Sequence, residues 1–108
     1  MSAIGNWWRD HHTKVAAAGF DDYYVHAPRL TCADGFNLSV QAGSGYYCQP
    51  REYVGSGDYD AWEIGYPTQA DELIIAFADD PKLPLQTIYS FVPTDIVDTL
   101  LQRHGGIK

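Results

Sequence analysis

The chain has 108 residues and a formal net charge of −7; 45% of its residues are hydrophobic, 14% aromatic and 19% charged. This length fits one domain, so we expect residues 1–108 to form a single domain, and so many aromatic residues exclude a disordered chain. No apolar run approaches the roughly 20 residues that cross a bilayer, and the first twenty residues lack a secretory signal, so we expect a cytoplasmic protein that does not bind membranes.

The N-terminal segment predicts a helix followed by extended chain. Apolar and aromatic residues recur at helical spacing over residues 3–18, and Gly19 is placed to end this helix. Residues 22–26 precede Pro28 and are expected to enter a sheet in an extended conformation.

The next segment predicts a meander of antiparallel strands. Residues 30–32 form a short candidate strand, and Asp34-Gly35 is a hairpin turn signal. Over residues 36–42 apolar and polar side chains alternate, which is typical of a strand with one buried face. A second turn at residues 43–45 leads to a third strand over residues 46–49.

The segment after the Gly-rich loop predicts another strand and then an ambiguous element. Residues 60–66 alternate in the same way, and Pro67 ends this strand. Thr68 is expected to cap a short helix that has Asp71 at the capping-box position. Residues 73–77 are apolar, and either a strand or a helix fits them.

The C-terminal segment predicts a central strand over residues 87–92 and then a helix. Thr94 is expected to cap the helix, and Gly105 to end it in the left-handed conformation. The apolar stripe of this helix consists of Ile96, Val97, Leu100, Leu101 and His104. Together the elements predict an α+β fold, in which an antiparallel sheet of about four to five strands packs against an N-terminal and a C-terminal helix.

Catalytic and metal-binding patterns are weak in this sequence. Cys32 and Cys48 do not form a C-x-x-C pair, so we expect buried thiols, although a disulfide stays open for an exported protein. His11 and His12 would point about 100° apart on a helix and could not both face one metal ion. No nucleophile, base and orienting group can be assembled from spacing, so we expect a protein that is not an enzyme and needs no cofactor or metal.

The negative charge is concentrated in the middle of the chain. Residues 52–80 hold eight carboxylates and no lysine or arginine, while the rest of the chain has six acidic and seven basic residues. Such a segment repels nucleic acid phosphates and favours basic partners. We expect its carboxylates to form one outer surface that binds a partner, with the main contacts made by Glu52, Asp58, Asp60, Glu63, Asp71 and Glu72.

A mixed aromatic and basic stretch is the alternative binding site. It could stack on a small ligand such as a nucleotide signal, and it consists of Tyr46, Tyr47, Arg51 and Tyr53. For Asp58, Asp60 and Glu63 the alternative to a binding role is a solvated strand edge whose charges prevent sheet extension.

Residues 30–107 resemble a family of small uncharacterised proteins of tailed bacteriophages and prophages. The resemblance lies in residues 32–42, 47–51, 62–67, 88–93 and 104–107. It brings no activity with it, but it implies a phage gene product that acts in the bacterial cytoplasm. With the acidic segment, it suggests an accessory protein that binds and modulates or inhibits a bacterial host protein, such as a defence protein, which has a basic surface. A virion component or assembly factor is a further alternative.

Overall fold

The computed structural model describes residues 2–16 and 23–108, which form two helices, six strands and one 3₁₀ turn. The elements are α1 (Ala3–His11), β1 (Thr13–Ala16), β2 (Tyr23–His26), β3 (Leu30–Thr31), β4 (Asn37–Gln41), β5 (Ala61–Gly65), the 3₁₀ turn (Ile75–Phe77), β6 (Ile88–Pro93) and α2 (Thr94–Arg103). The predicted α+β class is confirmed. Neither of these helices is long and apolar enough to cross a membrane.

The strands form two antiparallel sheets. The larger sheet has the order β3-β4-β5-β6, and β1 pairs with β2 separately. The predicted turn at Asp34-Gly35 joins β3 to β4: Gly35 has φ +95°, and its N–H donates to Cys32 O at 3.0 Å. Glycine suits this position because a side chain strains a backbone with positive φ.

The strand β6 lies at the edge of the larger sheet, so the prediction that it is central was wrong. Other parts of the chain cover its outer side. The N–H of Asp79 donates to Ile88 O at 3.0 Å, and the N–H of Phe91 donates to Tyr47 O at 3.0 Å. Because these segments cover β6, several of its residues are buried as in a central strand, although no further strand pairs with its outer side.

The core lies between one face of the larger sheet and the two helices. On that face lie Leu38 and Val40 of β4, which alternate with more polar residues, and Trp62 and Ile64 of β5, which lie on either side of Glu63 in the chain. The predicted apolar stripe of α2 is confirmed, because its members are buried or half-buried. Burial of each large side chain contributes about 1.5–3 kcal/mol; those that are fully buried include Ile4, Trp8, Leu38, Val40, Trp62, Ile64, Tyr89, Val92, Val97 and Leu100.

The first helix is shorter than its apolar spacing predicts, because it ends at His11 instead of near Ala18. The backbone of His12 is extended, and its ring stacks on Trp8 with centroids 3.9 Å apart, while His12 Nδ1 lies 2.8 Å from Trp8 O. The following residues pair with β2, and Val15 is exposed. The predicted stop at Gly19 lies outside the described residues.

The third strand predicted over residues 46–49 does not form. This segment makes only an isolated bridge, between Gln49 and Ala61. Side chains hold it instead: Tyr46 Oη donates to Val25 O at 2.8 Å, and the buried Cys48 Sγ lies 3.3 Å from the Gly43 nitrogen. An irregular segment can therefore lie close to the sheet without joining it.

No helix follows Thr68, because this residue pairs with the beginning of β4. Its hydroxyl accepts the N–H of Asn37 at 3.0 Å, and its own N–H donates to Asn37 O at 2.9 Å. Asp71 instead accepts the N–H of Leu73 at 2.9 Å in a local turn. The ambiguous residues 73–77 contain the 3₁₀ turn.

The predicted cap at Thr94 was also wrong. Thr94 is the first residue of α2, and Pro93 occupies the cap position without a side-chain hydrogen bond. The Thr94 hydroxyl accepts from Trp62 Nε1 at 2.9 Å and donates to Tyr59 O, so it ties the helix to the sheet. At the other end Gly105 has φ +88°, as the sequence predicts.

Candidate functional site

Three of the six acidic candidates lie at the two ends of α2. Asp60 O accepts the N–H of Thr94 at 2.9 Å, where α2 begins. At its end, Arg103 Nη2 lies 3.7 Å from Asp71 Oδ1 and 3.8 Å from Glu72 Oε1. The ten residues of α2 separate these positions, and ten helical residues rise about 15 Å. These candidates are therefore spread along α2 and not gathered at one point, and Glu72 already has a basic partner.

Asp71 is buried and belongs to a structural network, so its expected place on the outer surface was wrong. Only 7% of its side chain is exposed, and its Oδ2 lies 3.3 Å from His104 Nε2. The other ring nitrogen of His104 lies 2.8 Å from Asp34 Oδ2, and the ring stacks on Phe36. These contacts fix the end of α2 to the β3–β4 turn and to the segment before the 3₁₀ turn.

Three of the acidic candidates lie together on the loop that leads into β5. Glu52, Asp58 and Asp60 are exposed. The buried Tyr59 holds this loop, since its hydroxyl donates to Glu52 O at 2.8 Å and accepts the N–H of Val54 at 2.7 Å. These three carboxylates are therefore presented to solvent by an ordered loop, which we call the acidic loop.

Glu63 lies on β5, on the face of the sheet opposite the core, and it is half-buried. Burial raises the pKa of its carboxyl group by removing water from the charged form. The hydrogen bond from the N–H of Tyr47, at 3.1 Å, opposes this rise in pKa, as does the charge of Arg51, whereas the carboxylate of Asp79 adds to it. Glu63 thus lies close to both a like and an opposite charge.

Two exposed aromatic residues lie beside each other, and the backbone of one of them contacts Glu63. Tyr47 is 45% exposed and Phe91 is 42% exposed, and their ring centroids are 6.0 Å apart. Phe91 has φ +53° where the pairing of β5 with β6 shifts between Trp62 and Ile64. This conformation is uncommon for an aromatic residue. It occurs where the N–H of Phe91 donates to Tyr47 O, so the two exposed rings are held side by side.

The structure brings together three of the four residues of the aromatic and basic stretch. Arg51 Nε donates to Tyr46 O at 3.2 Å, and the Arg51 guanidinium carbon lies 5.0 Å from the centroid of the Tyr47 ring. Tyr53 lies elsewhere: its hydroxyl is 2.9 Å from His12 Nε2, and Lys14 Nζ is 4.1 Å from its ring centroid.

We define the open-face cluster as Tyr47, Arg51, Glu63, Asp79 and Phe91. Asp79 joins it through Oδ1, which accepts the hydroxyl of Ser90 at 3.1 Å. No sequence pattern indicates Phe91, because the alternation in its strand is the same as that of a buried strand. A groove of about 310 Å³ is lined by Tyr24, Val25, Ser44, Gly45 and Tyr46, and not by members of the cluster.

The two cysteines are free and buried. Burial raises the pKa of the Cys32 thiol to about 11 and also raises that of Cys48. The thiolate is the reactive form, so neither side chain is suited to nucleophilic attack at neutral pH. Across residues 2–16 and 23–108, no group of three or more His, Cys, Asp or Glu side chains could hold a metal ion.

Comparison of the chain with protein-family models, with curated proteins and with solved structures gave no match. Function is therefore inferred from the residues and their geometry.

Proposed function

We propose that this protein binds another protein through the open-face cluster and the acidic loop, and that the partner presents a basic surface. The observation that carries the proposal is the pair of exposed rings, Tyr47 and Phe91, held in place by a backbone hydrogen bond. Aromatic residues and arginine are enriched where protein interfaces concentrate their binding energy. Because this hydrogen bond fixes the backbones that carry the rings, less conformational entropy is lost when a partner covers them.

The charge of this region supports a basic partner. The cluster and the acidic loop contain the carboxylates of Glu52, Asp58, Asp60, Glu63 and Asp79 and the guanidinium of Arg51, so their formal charge is −4. A surface of this sign accelerates association with a basic protein. Because exposed charges are screened over about 8 Å at physiological ionic strength, the association rate should fall as salt is added.

The proposed partner is a bacterial host protein, and the proposed role is to modulate or inhibit it in the cytoplasm. The support for this context is the resemblance to small phage proteins. The acidic loop also suits the basic surface with which a nuclease contacts nucleic acid. The raised thiol pKa values of Cys32 and Cys48 favour a binding protein over an enzyme with a cysteine nucleophile.

Two substitutions test the contact surface. Phe91→Gly removes one ring and suits the backbone at φ +53°, and Tyr47→Ala removes the other ring. A host protein retained from bacterial lysate by the wild type should be lost by both variants. Leu83→Ala is the matched control, because Leu83 is 48% exposed but lies outside the cluster and the acidic loop. Retention of the same partner by both ring variants would refute the proposed surface.

Small-ligand binding is the second candidate function, favoured by the groove of about 310 Å³ beside Tyr24 and Tyr46. A nucleotide that occupies this groove should raise the melting temperature in proportion to the logarithm of its concentration once binding is saturated. A panel of nucleotides that leaves the melting temperature unchanged would exclude this class of ligand.

A further inference from the structure

Building on the proposed function, we infer that the open-face cluster receives one cationic side chain of the partner, from an arginine or a lysine. The cation would lie against the rings of Tyr47 and Phe91 and would be paired with the carboxylates of Glu63 and Asp79. The inference goes beyond a general attraction between opposite charges, because it assigns one binding position to one chemical group.

The two carboxylates provide the charge for this position. Glu63 accepts the N–H of Tyr47, and Asp79 accepts the hydroxyl of Ser90, so both accept hydrogen bonds from neutral groups. Within the described part of the chain, neither carboxylate forms an ion pair with a lysine or arginine side chain. Since Glu63 is half-buried, its charge is incompletely solvated, and a cation from the partner would replace the water that is missing.

The two rings provide the walls. Their planes are inclined by 57°, so they do not stack face to face, and 45% of Tyr47 and 42% of Phe91 is exposed. The Tyr47 ring already accepts a cation, because the guanidinium carbon of Arg51 lies 5.0 Å from its centroid. A cation within about 6 Å of an aromatic centroid is attracted by the negative face of the ring.

The same arrangement disfavours other ligands. An anion would meet two carboxylates and one guanidinium, so the net charge would repel it. A neutral apolar group would cover Glu63 and remove more of its water without a compensating charge, which is costly. An arginine or lysine side chain satisfies both the carboxylates and the rings.

Short peptides test this position without the natural partner. We would titrate the protein with acetyl-Gly-Arg-Gly-amide and with the analogue in which neutral citrulline replaces arginine, and follow backbone amide signals by NMR. The arginine peptide should perturb the amides of Tyr47, Glu63 and Phe91, and the citrulline peptide should not. Equal perturbation by both peptides, or none by the arginine peptide at millimolar concentration, would overturn the inference.

Charge variants test whether the carboxylates of Glu63 and Asp79 attract the arginine peptide. Glu63→Gln and Asp79→Asn keep an oxygen that accepts the present hydrogen bond, so the local fold should persist. Each should weaken binding of the arginine peptide about tenfold, the usual scale for a charge-assisted hydrogen bond. Arg51→Gln removes the competing cation and should strengthen binding. The matched control Asp95→Asn removes one charge from an exposed position of α2, outside the cluster and the acidic loop, and should weaken binding less than twofold.

These results distinguish the inference from the proposed function. If the host partner is lost by the ring variants but bound equally by Glu63→Gln, Asp79→Asn and the control Asp95→Asn, the contact surface is correct and the cation position is wrong. If the partner is retained by Tyr47→Ala and Phe91→Gly, the proposed function itself fails.

Discussion

Replacing Gly57 with alanine is expected to displace the acidic loop from α1. Gly57 has φ +80°, and a Cβ added there would lie 2.2 Å from Gly5 O and 3.0 Å from Gly5 C. Neither atom can turn away as a flexible side chain would, because both belong to the backbone of α1. The helix or the loop must therefore move by about 1 Å to restore an ordinary contact.

The cost of this movement follows from what α1 buries. Ile4 and Trp8 are fully buried, and burial of each contributes about 1.5–3 kcal/mol. If the displacement removes half of this contribution from the two residues, the free energy of unfolding falls by about 1.5–3 kcal/mol. The left-handed backbone at this position costs alanine about 1–2 kcal/mol more. The total is a large share of the roughly 5–15 kcal/mol that stabilises a typical domain.

Gly106→Ala is the matched control for this experiment. Gly106 has nearly the same backbone, with φ +84°, but no atom lies within 4 Å of its added Cβ. Urea unfolding followed by tryptophan fluorescence would give the free energy of unfolding of both variants. Gly57→Ala should be less stable than Gly106→Ala by about 1.5–3 kcal/mol. Equal losses would show that the contact between the loop and α1 does not constrain the fold.

Three further predictions concern the contacts of His104 and the two buried thiols. Replacing His104 with alanine should lower the free energy of unfolding by about 1–3 kcal/mol, because it leaves Asp71 buried without one partner. In the Asp71→Asn background the same replacement should cost less, since His104 and Asp71 interact. An equal loss in both backgrounds would refute this interaction. The pKa of Asp34 is lowered mainly by the hydrogen bond from the backbone amide of Phe36 and next by the His104 side chain. The ionised carboxylate therefore stabilises the fold above its unfolded-state pKa, and this stabilisation is lost as the pH falls through its folded-state pKa. Urea midpoints should therefore fall less on acidification for Asp34→Asn than for the wild type, and parallel curves would contradict this. Cys32 and Cys48 should react slowly with a thiol reagent in the folded protein and rapidly in urea, and fast labelling of the folded protein would show that they are accessible.

For the candidate site, the sequence analysis named residues for a binding site but did not predict which of them lie together. Tyr46, Tyr47 and Arg51 are close in the chain and lie together, whereas Tyr53, only two residues further on, contacts His12 instead. The cluster also needs Glu63, Asp79 and Phe91, which belong to three other segments. The acidic residues appeared continuous because they follow one another in sequence, whereas α2 separates Asp60 from Asp71.

The sequence by itself determined the elements whose signals are local. The apolar stripe of α2 and the glycine that follows it specify that helix, and Asp34-Gly35 specifies the β3–β4 turn, because periodicity and positive φ are properties of a few adjacent residues. Only the tertiary structure decided where α1 ends, since its helical spacing continues beyond His11 and pairing with β2 competes with it. The same holds for the exposed rings of Tyr47 and Phe91, because their placement depends on a hydrogen bond between residues that are distant in the chain.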